Sequence, residues 1–283
     1  MNKIGFLDSG VGGLTVLEAY LDKLSHQQNF AKGNETTQII YFADLANLPY
    51  GGKSTQELQQ ILINNLEWFS GKADCLVLAC NTSSALLNNQ LRERFPELQI
   101  FSLIQTVQEK IKNQYANLEK VAVFSTLASH SLGAYEQCLK SALPQALVQS
   151  IPCPKLVPLI ETNIHYGEDI LNDSCEEALN EYVAQLNFEP QALIFGCSHY
   201  PLLKKTFQKL LPKTLCLDPG ECLAEELSNN ITIHKELDFQ VFSSAEAILM
   251  QSKLDSLKNI LRCANYFRDK VQLAQTASES VKA

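Results

Sequence analysis

Two stretches of this chain repeat at one spacing, and that repeat limits the possible folds more than any other feature. Lys3-Ile4-Gly5-Phe6-Leu7-Asp8-Ser9 resembles Lys120-Val121-Ala122-Val123-Phe124-Ser125-Thr126, and Cys75-Leu76-Val77-Leu78-Ala79-Cys80-Asn81-Thr82 resembles Ala192-Leu193-Ile194-Phe195-Gly196-Cys197-Ser198-His199. Both pairs are offset by 117 residues. Short apolar strands match one another by chance, but two matches at a common offset mark a duplicated unit. Apolar runs at 3–7, 38–43, 74–79, 99–103, 120–125, 146–151, 191–196 and 214–217 are rich in Val, Ile, Leu and Phe, as parallel strands covered on both faces should be. Helical patterns fall between them, at 13–25, 54–70, 83–94, 105–116, 130–142, 168–186, 201–211, 221–230 and 245–259. The alternation predicts an α/β architecture with parallel sheets, in two similar halves.

The 283 residues are enough for one large domain or two modest ones, and 46% hydrophobic residues can fill a core. The net charge is −8 with no Lys/Arg run, which argues against a nucleic-acid partner. No stretch approaches the roughly 20 continuous apolar residues of a membrane span. The N-terminus lacks the pattern of a secretory leader, so the chain is expected in the cytoplasm. Nine cysteines without a CxxC pair make a poor disulfide framework and are expected as free thiols. The segment from Leu273 to Ala283 is small and polar and is expected to fray.

In each half a buried strand ends in a cysteine followed by an amide or hydroxyl residue, and then a helix. Ligand sites in open parallel sheets lie beyond the carboxyl ends of the strands. If the halves face each other, Cys80 and Cys197 meet across one cleft, with Ser9 and Thr126 brought in by the same pseudo-symmetry. Two like bases flanking one carbon suit a racemisation, in which one thiolate removes an α-proton and the opposite thiol returns one to the other face. A thiol with a reference pKa of about 8.5 reaches both protonation states near neutrality, which a serine would not. The Ser9-Gly10-Val11-Gly12-Gly13 run is neither a P-loop nor a dinucleotide fingerprint, and its glycines are read as a tight turn with close approach to substrate. Cys197-x-His199 alone is weak as a metal site, so none is predicted. His26 and His234 are read as surface residues.

At these residues the sequence resembles the glutamate racemases. Ile4 to Thr15 resembles that family's opening motif, and Leu48-Pro49-Tyr50-Gly51-Gly52-Lys53-Ser54 its Pro-Tyr-Gly loop. Ala79-Cys80-Asn81-Thr82-Ser83-Ser84-Ala85 and Gly196-Cys197-Ser198-His199-Tyr200-Pro201-Leu202-Leu203 resemble its two cysteine motifs, and Cys153-Pro154 with Val157-Pro158-Leu159-Ile160-Glu161 resembles a further segment. Related aspartate racemases usually carry Glu where this chain has His199. Ser198 stands where Thr is usual, and Ile104-Gln105-Thr106-Val107 lacks the usual Pro-Gly.

The resemblance implies cofactor-independent interconversion of L- and D-glutamate, supplying D-glutamate for peptidoglycan and so for the cell wall and cell shape. It implies that Cys80 deprotonates D-glutamate with help from Asp8, and that Cys197 deprotonates L-glutamate with help from His199 and Glu161 behind it. Substrate binding would fall to Asp8, Ser9, Pro49, Tyr50, Gly51, Asn81, Thr82, Thr126, Ser198 and His199. It implies two pseudo-symmetric α/β domains, 1–98 with 214–283 and 99–213, the active site in the cleft between them, and a homodimer. The rival readings are an aspartate or other amino-acid racemase on the same scaffold, and a catalytically silent two-lobed binding or inhibitor protein.

Overall fold

A computed structural model describes residues 2–26, 30–33, 35–267 and 269–274. Among these residues ten strands form two sheets: β1 (Lys3–Asp8), β2 (Thr36–Ala43), β3 (Cys75–Leu78), β4 (Gln99–Ser102), β5 (Lys120–Ser125), β6 (Leu147–Pro152), β7 (Ala192–Gly196), β8 (Leu215–Leu217), β9 (Glu236–Ser243) and β10 (Val271–Leu273). The six-stranded sheet has the order β10-β9-β2-β1-β3-β4 and the four-stranded sheet the order β6-β5-β7-β8. Every pairing is parallel. The segment β2-β1-β3-β4 therefore has the same order as β6-β5-β7-β8, and the repeated sequences are the equivalent strands β1/β5 and β3/β7. The duplication seen in the sequence is a duplication of topology, to which one sheet adds β9 and β10.

Among the described residues, twelve α-helices connect and flank the strands: α1 (Leu14–Ser25), α2 (Thr55–Phe69), α3 (Asn81–Leu86), α4 (Asn89–Arg94), α5 (Leu103–Gln114), α6 (Leu127–Leu132), α7 (Ala134–Ala142), α8 (Leu156–Asn163), α9 (Glu168–Val183), α10 (Lys204–Leu210), α11 (Pro219–Asn230) and α12 (Ala247–Leu257). Their ends follow local chemistry. A capping box holds the start of α2, where Glu57 N–H donates to Ser54 Oγ at 3.3 Å and Ser54 N–H donates to Glu57 Oε2 at 2.8 Å. The helix expected at 130–142 is broken into α6 and α7 at Gly133, which takes φ 62°. The one expected at 83–94 is broken where Asn88 caps α4 through its side chain.

Sheet membership moves two strands across the expected domain limits. β4 pairs with β3, and β8 pairs with β7. A division at 98/99 and 213/214 would separate hydrogen-bonded neighbours, and strand pairing places the changeovers after 102 and after 217. His234 is also not a surface residue. It is 7% exposed, with Nε2 3.2 Å from Glu35, while His26 is exposed as expected. At the C-terminal end, Leu273 closes β10 and the buried Ala274 donates its N–H to Ser243 O at 2.7 Å. The rest of the segment expected to fray, 275–283, lies outside the described residues.

The largest fully buried side chains of the core are mostly aromatic. In the four-stranded lobe Phe207 of α10 lies against Phe124 and Phe195, with ring centroids 6.0 and 4.8 Å away. In the six-stranded lobe Trp68 packs on Phe42, Phe69 and Phe242. The fully buried rings among these, Phe42, Phe69, Phe124, Phe195 and Phe207, each contribute about 1.5–3 kcal/mol. No helix among the described residues is long and apolar enough to cross a membrane.

Candidate active site

Because all strands are parallel, their carboxyl ends gather the residues that follow them. Ser9 follows β1, the Pro49-Tyr50-Gly51 loop follows β2, Cys80 follows β3, Thr126 follows β5, Cys153 follows β6 and Cys197 follows β7. All of them line one cavity of about 290 Å³, together with Asn81, Thr82, Ser198, His199 and Glu161. Every residue assigned to the site from sequence reaches its wall except Asp8. A larger cavity, about 790 Å³, is lined from α1, α5 and α11 and holds neither Cys80 nor Cys197.

The first thiol is set by a strand-to-helix turn. Ala79 N–H donates to Leu7 O at 2.8 Å, which ends β3 against β1, and Cys80 is the N-cap of α3. Cys80 Sγ lies 3.7 Å from Ser9 Oγ. Burial pushes the Cys80 thiol up to about 11, the negative charge of Asp8 adds to this, and the Ser83 N–H opposes it. Cys80 is therefore a thiol at neutral pH. Asp8 lies beneath the floor, fully buried, accepting from Gly10 N–H at 2.8 Å and from Ser198 Oγ at 3.3 Å. Burial raises its carboxyl pKa, against the pull of His199 and of the Gly10 and Gly13 N–H groups. Its carboxylate is occupied by protein donors, so it meets Cys80 by charge and does not form part of the cavity wall.

The second thiol has a different backing. Cys197 Sγ is 3.8 Å from His199 Nδ1, His199 Nε2 is 3.1 Å from Glu161 Oε1, and Lys253 Nζ donates to Glu161 Oε2 at 2.8 Å. Burial alone would depress the His199 pKa. The bonds to Cys197 and Glu161 outweigh it and hold the imidazole at about 10, so it is protonated near neutrality. Burial likewise opposes ionisation of Glu161, but His199 and Lys253 bring its carboxyl down to about 2. The result is a line of alternating charge running from the cavity to α12.

The remaining wall is held by hydroxyl and amide bonds. Thr82 Oγ1 lies 3.0 Å from Ser129 Oγ and 3.5 Å from Thr126 Oγ1, and Tyr135 Oη donates to Asn81 Oδ1 at 2.5 Å. Tyr50 turns its hydroxyl away to Asp44 Oδ2 at 2.7 Å, where Asn47, Asn65 and Ser244 also donate. The two halves touch directly at the glycine turn. Thr15 Oγ1 donates to Ser198 O at 2.7 Å, and a Cβ on Gly12 would lie 2.4 Å from both His199 Nδ1 and Ser198 Oγ. Gly12 is glycine because the second cysteine motif packs on its backbone. The cavity also takes in Leu48, Leu127, Cys153, Val157 and Pro158. Cys153, Val157 and Pro158 lie in the segment already matched in sequence, whereas Lys253, Asp44 and Asn65 carried no local signal.

The model of the Asp/Glu/Hydantoin racemase family matches residues 18–227. The chain belongs to this family. The matched range holds both thiols, Glu161 and His199; it begins after Asp8 and ends before Lys253. Among its relatives, a glutamate racemase of Carboxydothermus hydrogenoformans is 36% identical over 237 residues, covering 83% of this chain and 82% of that protein. One of Microcystis aeruginosa is 35% identical over 223 residues, covering 78% and 72%. The fold is similar to the crystal structure of glutamate racemase from Thermus thermophilus in complex with β-chloro-D-alanine, with a TM-score of 0.78, 25% identity and 97% of each chain covered.

Proposed function

We propose that this racemase-family chain interconverts L- and D-glutamate by proton transfer between Cys197 and Cys80. The observation that carries the reading is that one 290 Å³ cavity receives a thiol from each sheet, at equivalent positions of a duplicated fold. In the L-to-D direction the Cys197 thiolate takes the α-proton and its S–H bond forms as Cα–H breaks. The electron pair moves onto the substrate carboxylate, and the Cys80 thiol gives its proton to the opposite face of Cα. Cys80 is protonated at rest and is ready for that role. In the D-to-L direction Cys80 must first lose its proton, and Asp8 is the buried carboxyl coupled to it.

Hydroxyl and amide groups at Ser9, Asn81, Thr82, Thr126 and Ser198, with the N–H groups of their turns, suit the two carboxylates of glutamate. Pro49, Tyr50 and Gly51 close one wall. His199, protonated, holds charge next to Cys197. The same reading places the lobes around the two sheets, assigns a homodimer in the cytoplasm, and makes D-glutamate for peptidoglycan the product.

A panel of glutamate, aspartate and a hydantoin, each assayed for loss of optical purity with metal-free and pyridoxal-free protein, tests the substrate. Glutamate should turn over fastest by at least about tenfold, the discrimination available from one carbon and its hydrogen bonds. Preference for aspartate or hydantoin would replace the reading by its relatives on the same scaffold. Silence on all three would favour a binding protein.

A further inference from the structure

We infer that Lys253 is a positioning residue for the Cys197 half of the proton transfer, acting through Glu161 and His199; the inference rests on the two-thiol reading above. A carboxylate held at one oxygen can swivel about its Cγ–Cδ bond. Both oxygens of Glu161 are engaged, Oε1 at 3.1 Å from His199 Nε2 and Oε2 at 2.8 Å from Lys253 Nζ. With both fixed, the plane of the carboxylate and the direction of the imidazole N–H are fixed with it, and so is the ring nitrogen facing Cys197.

The bland alternative is an ordinary surface ion pair. Exposed Lys–Glu pairs contribute little, because water competes for both ends. This pair differs in two ways. Its side chains are 23% and 27% exposed, and the carboxylate it holds also bonds an imidazole that is only 8% exposed. Lys253 also comes from a distant part of the chain. Its helix α12 packs on β9 and β10 of the six-stranded sheet and reaches the turn Ile164–Tyr166 that follows α8. The pair thus ties the C-terminal helix of one lobe to the helix of the other lobe that carries Glu161. The Cys80 half has no matching ion pair among the described residues, where its neighbours are Ser9, Ser83 and Asp8. Lys253 acts on one half-reaction.

The test must respect the symmetry of the reaction. The enantiomers have equal free energy, so kcat/KM is the same in both directions for any variant. A one-sided defect shows instead in substrate isotope effects. L-[2-²H]glutamate reports Cα–H cleavage at Cys197, and D-[2-²H]glutamate reports it at Cys80. In Lys253→Met, kcat/KM should fall about tenfold in both directions, as misplacing a catalytic group does. The isotope effect should rise for the L substrate and shrink for the D substrate, and Lys253→Arg should restore both. Because the path runs through Glu161, the double variant E161Q/K253M should be no slower than E161Q. Unchanged isotope effects in a folded K253M variant, whatever happens to its KM or melting temperature, would overturn the inference while leaving the two-thiol reading intact. A further tenfold loss in the double variant would do the same. Wild-type protein that labels neither enantiomer would overturn both.

Discussion

The two halves of the cavity share a fold and differ in how they handle charge. Cys80 and Cys197 end equivalent strands, β3 and β7, in sheets of the same order. Yet Cys80 faces a buried carboxylate that opposes thiolate, whereas Cys197 faces an imidazolium held by Glu161. Duplication places two thiols on one cavity; the side chains behind them differ, a buried carboxyl beside Cys80 and an imidazolium beside Cys197. A mirror-image substrate pair needs matched positions and does not need matched surroundings.

The largest break of this comparison is removal of either thiol. Cys80→Ser and Cys197→Ser should each lower racemisation by about 10³-fold or more, the upper range for a general acid–base group. Residual α-proton exchange should survive for one enantiomer only, L-glutamate in C80S and D-glutamate in C197S. Exchange of both enantiomers in either variant, followed by NMR, would show that the two thiols are not assigned to separate faces.

His199→Asn should cost about a hundredfold, within the range for a proton-transfer partner, and it also alters stability with pH. The His199 pKa is raised in the fold, so its stabilisation is complete below the unfolded value of about 6.5 and is lost as pH rises through about 10. Wild type should therefore lose more stability than H199N between pH 7 and 10 in urea titrations; parallel loss would mean the imidazole is not held protonated. Glu161 works in the opposite sense, its share being present above the usual carboxylate range and lost as pH falls through about 2.

Gly12→Ala sharpens the link between the halves. Its Cβ would press on His199 and Ser198, so kcat/KM should fall by about tenfold or more with a small change in melting temperature. Normal activity would show that the His199 ring can yield without consequence. The smallest effect is expected from Asp8→Asn, which keeps the shape and removes the charge. Alkylation of Cys80 should then titrate below about 11. An unchanged titration would remove Asp8 from the Cys80 half.

The duplicated strands were legible because they are continuous apolar runs buried on both faces, and the common offset of 117 placed both thiols in equivalent turns. The strand β9 was missed because Glu236–Ser243 alternates polar with apolar residues and is only partly buried, so it lacks such a run. α8 was missed because Pro158 stands inside it. It falls in the first turn, where a missing N–H costs nothing. The sheets that β4 and β8 join were not legible, because hydrogen bonding between β3 and β4, or between β7 and β8, leaves no mark on composition. The resemblance gives Asp8 two roles, assisting Cys80 and binding substrate, and the sequence does not show which way its side chain turns. In the fold the end of β1 turns its carboxylate under the floor, to Gly10 and Ser198. Lys253 is one lysine on a helix more than fifty residues past Cys197, and only the packing of α12 brings it to Glu161.

The most direct test of the account is the fate of the α-hydrogen in deuterium oxide, starting from L-glutamate and, separately, from D-glutamate. Chirality and label should be read together at low conversion. Two thiols on opposite faces predict product that carries deuterium at Cα while the remaining substrate still carries protium, and the same from either enantiomer. Product that keeps its protium, or substrate labelled as fast as product, would mean that one base serves both faces and would contradict the assignment of Cys80 and Cys197.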